Sequence, residues 1–244
     1  MSLLAVEGVS KSFGGLTAVS RVSLAVGEGE MLGLIGPNGA GKTTLFHIMS
    51  GFLPPDEGAV RYAGEDVTGL RPHEICQRGM VRTFQVTRPF TRLSVLENVL
   101  VGSLKREAHR RRALGLAEEV LELTGLTTKA KMTGHSLTLP DRKRLEVARA
   151  LATKPRILLL DEVMAGLNPT ETGQFIALIR TIHQRGVTIV LIEHVMKAVM
   201  ALSQRVLVLN YGELIAEGAP EAIVRDPKVI EAYLGQGYSA LAGC

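Results

Sequence analysis

Residues Gly36-Pro37-Asn38-Gly39-Ala40-Gly41-Lys42-Thr43 place three glycines, a lysine and a hydroxyl within eight positions. They follow the apolar run Glu30–Ile35, which reads as a buried strand, and lead into Thr43–Met49, which reads as a helix. Little else folds this way. Glycines let successive backbone N–H groups turn inward around an anion, where side chains would block the approach. A helix starting at that point adds its unpaired N–H groups and the positive end of its dipole. The spacing is that of a phosphate-binding loop: Lys42 is expected to reach the β- and γ-phosphates of ATP, and the Thr43 hydroxyl to ligate Mg²⁺. The chain is expected to bind ATP with magnesium and to hydrolyse it.

A second segment fits the same chemistry. Ile157-Leu158-Leu159-Leu160 is an apolar strand ending in Asp161-Glu162, at the edge where a parallel sheet faces a nucleotide. Asp161 is expected to hold the magnesium hydration shell, and Glu162 to polarise the attacking water. The apolar strand Val187–Ile192 ends in Glu193-His194; taken alone, this histidine reads more readily as a strand-end cap than as a catalytic group.

Around these anchors the pattern divides the chain. Leu3–Val9 and Ser20–Val26 alternate as strands, a further strand pair falls near Gly58–Tyr62, and a helix starts at Arg71-Pro72. From about Arg88 to Leu151 no strand is expected, and Ser94–Ser103, Ala108–Thr124 and Asp141–Leu151 read as helices. Alternation returns with helix Thr170–Gln184, helix Met196–Leu202 and strand Arg205–Asn210. Strands separated by helices imply a parallel sheet with right-handed crossovers. The expected fold class is α/β: a P-loop NTPase core with a mixed sheet and parallel centre, an antiparallel β subdomain and an inserted helical subdomain. Residues 1–86 and 152–234 form the ATP-binding core, 87–151 the helical subdomain and 235–244 a loose tail.

Composition excludes other classes. No apolar stretch approaches the ~20 residues a bilayer needs, and the N-terminus lacks a basic region followed by an apolar run. Cys76 and Cys244 are the only cysteines, too few for a disulfide framework. The cytosol is the expected compartment. The basic run Lys105-Arg106 and His109-Arg110-Arg111-Arg112 reads as a solvated helix face before it reads as a lipid or partner contact. Nucleic acid is not expected, since tryptophan is absent and no aromatic interleaves with the basic run.

Taken in order, these pieces resemble the ATP-binding subunit of an ABC transporter, from Val6 to about Gly235. The resemblance implies that Phe13, in Lys11-Ser12-Phe13-Gly14, stacks on adenine, with Val19 and Thr44 among the nucleotide-binding positions. It implies that Gln85 lies at the Q-loop, contacting Mg²⁺ and water, and that His194 is the switch histidine that contacts the γ-phosphate. Ala165-Gly166-Leu167-Asn168-Pro169 falls at the D-loop. One motif departs. The family's Leu-Ser-Gly-Gly-Gln signature aligns with Leu137-Thr138-Leu139-Pro140-Asp141. Thr138 keeps a hydroxyl, which would act in trans on the second subunit's nucleotide. Pro140 has no N–H to offer, and Thr138 with Asp141 resembles a capping box.

The resemblance also implies partners. They are a second ABC ATPase subunit, a heterodimer being favoured by the altered signature, two membrane permease subunits, and indirectly a solute-binding protein. The location implied is peripheral, on the cytoplasmic face of the inner or plasma membrane. A groove beside Gln85, lined by Val86, Pro89, Phe90, Leu93 and Leu96, is the expected permease contact. The segments Phe13–Val19, Gly166–Glu171, Val187–Met196, Leu209–Gly212 and Val229–Gly235 look like the branched-chain amino-acid uptake branch, which also serves urea and short amides. Alternatives are an ATPase of lipopolysaccharide or lipid export, or a regulatory ABC ATPase with weak hydrolysis.

Overall fold

The computed structural model describes residues 2–83 and 89–234. In chain order, β1 (Ser2–Phe13) and β2 (Leu16–Gly27) precede β3 (Met31–Ile35), α1 (Lys42–Met49), β4 (Glu57–Tyr62), β5 (Glu65–Asp66) and α2 (Pro72–Arg78). Then come β6 (Met80–Arg82), α3 (Val95–Arg106), α4 (Arg110–Thr124), α5 (Leu139–Leu151), β7 (Ile157–Asp161) and α6 (Pro169–Gln184). The chain ends through β8 (Thr188–Ile192), α7 (Met196–Leu202), β9 (Arg205–Asn210), β10 (Glu213–Gly218), α8 (Pro220–Ile223) and α9 (Pro227–Leu234). Two compact units result: the chain up to Ile75 together with the chain from Thr188, and Cys76–Val187.

The first unit contains an antiparallel sheet in the order β2-β1-β4-β5. Its central hairpin is longer than the alternation predicts. Lys11, Ser12 and Phe13 pair with Val19, Thr17 and Leu16, so backbone bonds carry the strands past the last buried side chain to the turn at Gly14-Gly15. The unit's other strands are parallel where β9, β3 and β8 pair, with β10 antiparallel to β9. Every residue of β3 and β8 is buried. Strands covered on both faces show unbroken apolar runs, the signature of a parallel sheet. Ile35, at the end of β3, packs with Val199, Val206, Val208, Ile223 and Val229, so α7, α8 and α9 all support the strand that feeds the glycine loop.

The second unit pairs β6 with β7 in parallel and holds helices α3 to α6. Helices α3, α4 and α5, within the segment expected to be helical, all lie in it. Among its described residues no strand follows β6 before β7. Helix α3 begins at Ser94, whose hydroxyl accepts from the Glu97 N–H while the Glu97 carboxylate accepts from the Ser94 N–H. Arg106 is not simply solvated: its guanidinium donates to the carbonyls of Thr153, Gln77 and Cys76. Arg110, Arg111 and Arg112 are exposed in the first turn of α4. Among the described residues, no helix is long and apolar enough to cross a membrane. The expected tail, 235–244, lies outside the described residues.

Candidate functional site

In the first unit the glycine loop leaves the C-terminal end of β3 and closes onto α1, whose N-cap is Gly41. Backbone conformation requires the glycines. Gly41 has φ +101°, and a Cβ there would collide with the Ala18 carbonyl oxygen. A Cβ on Gly36 (φ +151°) would collide with the Leu209 carbonyl oxygen. Gly39 has φ +79° but open space around it, so only conformation selects glycine there. Two neighbouring elements hold the loop: the Gly212 N–H donates to the Ala40 carbonyl at 3.0 Å, and the Ser20 N–H to the Gly212 carbonyl at 2.9 Å.

Lys42 is buried, and its ammonium donates to the carbonyls of Gly36 (2.7 Å) and Pro37 (2.8 Å). Its charge therefore lies across the curve of the loop. Thr43 is exposed and Thr44 half-buried on the first turn of α1, while Pro37, Asn38 and Gly39 form the open rim and Ala40 is buried beneath it. Phe13 is half exposed at the hairpin tip, with the Lys11 ammonium 6.0 Å from its ring centre. Val19 is fully buried in β2. His194 is exposed just beyond β8. Because β8 and β3 are parallel, with Ile192 beside Leu34, His194 and the glycine loop leave the same end of the sheet.

The second unit carries the paired carboxylates. Asp161 closes β7 and is 1% exposed. Its Oδ2 accepts from the Arg82 guanidinium at 2.6 Å, and its Oδ1 is buried without a hydrogen-bond partner among the described residues. Glu162 follows at φ +49°, a left-handed conformation uncommon for a side-chain-bearing residue. Lys143, buried in α5, donates to its carbonyl at 3.1 Å. Among the described residues no three His, Cys, Asp or Glu side chains group as a metal cluster. Gln85 and Val86 lie outside the described residues.

Thr138 is the N-cap of α5 by backbone conformation, with Leu139 and Pro140 in the first turn. The capping box expected of Thr138 and Asp141 does not form: the Thr138 hydroxyl donates to the Asp141 carboxylate at 2.7 Å instead of accepting a backbone N–H. The same oxygen pairs with the Lys129 ammonium at 2.5 Å. Burial opposes ionisation of Asp141, but these two partners outweigh it and hold its pKa below the usual value. The negative charge is thus neutralised from within the chain. Leu139 is exposed, and its side chain approaches Gly166.

In the expected permease face, Pro89 is half-buried, and Phe90 is fixed by the buried Asn98, whose amide pairs with both the N–H and the carbonyl of Phe90. Phe90 is exposed with the Arg149 guanidinium 4.5 Å from its ring centre; Leu93 and Leu96 are half-buried.

Sequence reasoning missed Arg82, Lys143 and Lys129. Arg82 ends a three-residue strand too short to show periodicity. Lys143 looks like one cation in a basic helix until its burial is seen.

Known proteins repeat this arrangement. The family pattern described as ABC transporter matches residues 19–165, and one described as branched-chain amino acid ATP-binding cassette transporter matches residues 213–239. The chain is 44% identical over 250 residues to the high-affinity branched-chain amino acid transport ATP-binding protein BraF of Pseudomonas aeruginosa, covering 96% of this chain and 98% of that one. It is 45% identical to LivG, a protein of the same description from Salmonella typhimurium, over the same shares. A cassette of an ABC transporter in its ADP conformation superposes with a TM-score of 0.87 at 32% identity, over 97% of this chain and all of that one. A dimeric cassette in a post-hydrolysis state with ADP and Pi superposes with a TM-score of 0.80 at 25% identity, over 89% and 98% of the two chains.

Proposed function

We infer, because this chain belongs to the ABC transporter family of ATP-binding proteins, that it is the ATP-hydrolysing subunit of a transporter for branched-chain amino acids. The reading also admits urea and short amides as cargo, since this subunit is proposed to meet the permease rather than the transported molecule. The observation that carries the ATPase reading is the loop Gly36–Thr43, with Lys42 lying across the carbonyls of Gly36 and Pro37 and with Gly36 and Gly41 leaving no room for side chains. The cargo assignment rests on the descriptions of the relatives.

Residue roles follow from the chemistry. The loop N–H groups and Lys42 bind the phosphates, Phe13 offers a face to adenine, and Val19 shapes the hairpin behind it. Thr43, Asp161 and Gln85 are the residues that would hold Mg²⁺, which would neutralise phosphate charge when bound. The orphaned Oδ1 of Asp161 and the exposed Thr43 hydroxyl suit that ion. Glu162 accepts a proton from the attacking water, and His194 contacts the γ-phosphate. Residues 87–151 serve as the helical subdomain, and the Phe90 region meets the permease. Changing Glu162 to Gln leaves ATP binding intact and stops turnover; undiminished hydrolysis removes Glu162 from that role.

The partners proposed are a second ATPase subunit, two permease subunits and, through them, a solute-binding protein, with this chain peripheral on the cytoplasmic membrane face. A heterodimer is favoured. Pro140 lacks an N–H, and the Thr138 hydroxyl is engaged by Asp141, so this chain lends a weak signature and gains from a partner with an intact one. Changing the Glu162 position in each subunit separately tests the asymmetry, and equal losses would sink it. Cargo is tested by ATPase stimulation in the assembled transporter with leucine-, isoleucine- or valine-loaded binding protein, against urea.

A further inference from the structure

Arg82 and Asp161 form an ion pair that the chemistry above does not use. Their atoms approach to 2.6 Å, and the two side chains are only 4% and 2% exposed. The register explains the meeting. Arg82 lies beside Leu159 in the parallel pair of β6 and β7, and alternation puts Asp161 on the same face as Leu159. Thr83 locks that geometry, since its N–H donates to the Leu159 carbonyl at 2.9 Å and its hydroxyl accepts from the Asp161 N–H at 3.2 Å.

The pair leaves Asp161 half satisfied. Oδ2 is held by a guanidinium, while Oδ1 is buried without a partner among the described residues. A buried carboxylate needs a counter-charge, and Arg82 supplies it when no metal is bound. A dication arriving at the same carboxylate faces that guanidinium at short range, where charges are poorly screened.

We infer that Arg82 is the resident counter-ion of Asp161 and lowers the affinity of the site for Mg²⁺ by competing for that carboxylate. This rests on the reading of Asp161 as the metal-site carboxylate. Arg82 stabilises the metal-free protein, and a dication arriving at Oδ1 meets the positive charge already seated on Oδ2 of the same carboxylate. The residue thereby weakens retention of the metal without touching nucleotide.

The test is Mn²⁺ binding followed by electron paramagnetic resonance, using the full chain with adenylyl imidodiphosphate. Arg82→Met is expected to tighten Mn²⁺ about tenfold, with nucleotide affinity in the absence of metal unchanged. Arg82→Lys, which keeps the charge, stays near wild type. Mn²⁺ binding by Arg82→Met that equals or falls below wild type overturns the inference. Asp161→Asn separates the two layers. If it binds Mn²⁺ as wild type does, the metal-site reading fails and Arg82 falls with it; if it loses Mn²⁺ while Arg82→Met gains nothing, only the Arg82 inference fails. Should Arg82→Met not fold, the guanidinium resonance of wild-type Arg82, identified by its loss in Arg82→Lys, must shift on Mg²⁺ saturation of the nucleotide complex. A stationary resonance overturns the inference equally.

Discussion

Lys143 donates a 3.1 Å hydrogen bond to the backbone carbonyl of Glu162, the residue held at φ +49°. One end of this bond is in the helix that follows the signature segment, and the other is the turn that aims the proposed base. A left-handed residue costs about 1–2 kcal/mol unless its surroundings maintain it. A charged donor on the carbonyl contributes about 1.5–3 kcal/mol. Lys143→Met is therefore expected to lower kcat by about tenfold or more with little change in KM for ATP. Lys143→Arg recovers part of the loss, because a cationic donor remains. Steady-state kinetics in the assembled transporter checks this; a rise in KM at constant kcat would assign Lys143 to nucleotide binding instead.

Two glycines in one loop are expected to respond differently. Gly41→Ala forces a Cβ onto the Ala18 carbonyl at φ +101° and is expected to abolish ATP binding. Gly39→Asn meets open space at φ +79°, and asparagine tolerates left-handed backbone. Its cost is about 1 kcal/mol, so it retains nucleotide affinity within about tenfold. Isothermal titration with ATP distinguishes the two, and equal losses would show that conformation alone, not collision, governs the loop.

Asp141 predicts a pH-dependent stability. Its folded pKa is depressed by Lys129 and Thr138 against the opposing effect of burial. A depressed carboxyl contributes stability above its unfolded pKa, about 3.9, and loses it as pH falls through the folded value. Lys129 is partly exposed, so the contribution at pH 7 is limited to about 0.5–1 kcal/mol. Urea melts should show wild type more stable than Asp141→Asn by that margin at pH 7 and pH 5, with the gap narrowing below about pH 4. A gap that persists undiminished at pH 3 would contradict the assignment.

The altered signature can be returned toward the family pattern. Leu139→Gly with Pro140→Gly removes an exposed side chain and restores a backbone N–H in the first turn of α5. Stability is expected to fall by about 1–2 kcal/mol, since glycine lowers helix propensity and proline suits the first turn. ATP turnover by the assembled transporter is expected to rise as the weak site gains a donor. Melting temperature and ATPase rate measured together check this; lower stability with unchanged turnover would mean that this signature never limits the rate.

The phosphate loop, the apolar strand before Asp161 and the α/β alternation were legible in the sequence because each is a local property. Glycine spacing, strand burial and helix period are all carried by neighbours along the chain. The membership of the family was legible too, through motifs whose order spans the chain. Other features depend on which strand pairs with which. Arg82 meets Asp161 only because β6 lies parallel to β7 in one register, and the buried cation then needs a carboxylate. Lys143 gains its role from the packing of α5 against the turn after β7. The capping box at Thr138 looked sound in sequence and failed because Lys129, from a separate turn, draws the Asp141 carboxylate and the Thr138 hydroxyl follows it. Long-range charge pairing overrode a local preference, and no spacing along the chain announces such a pair.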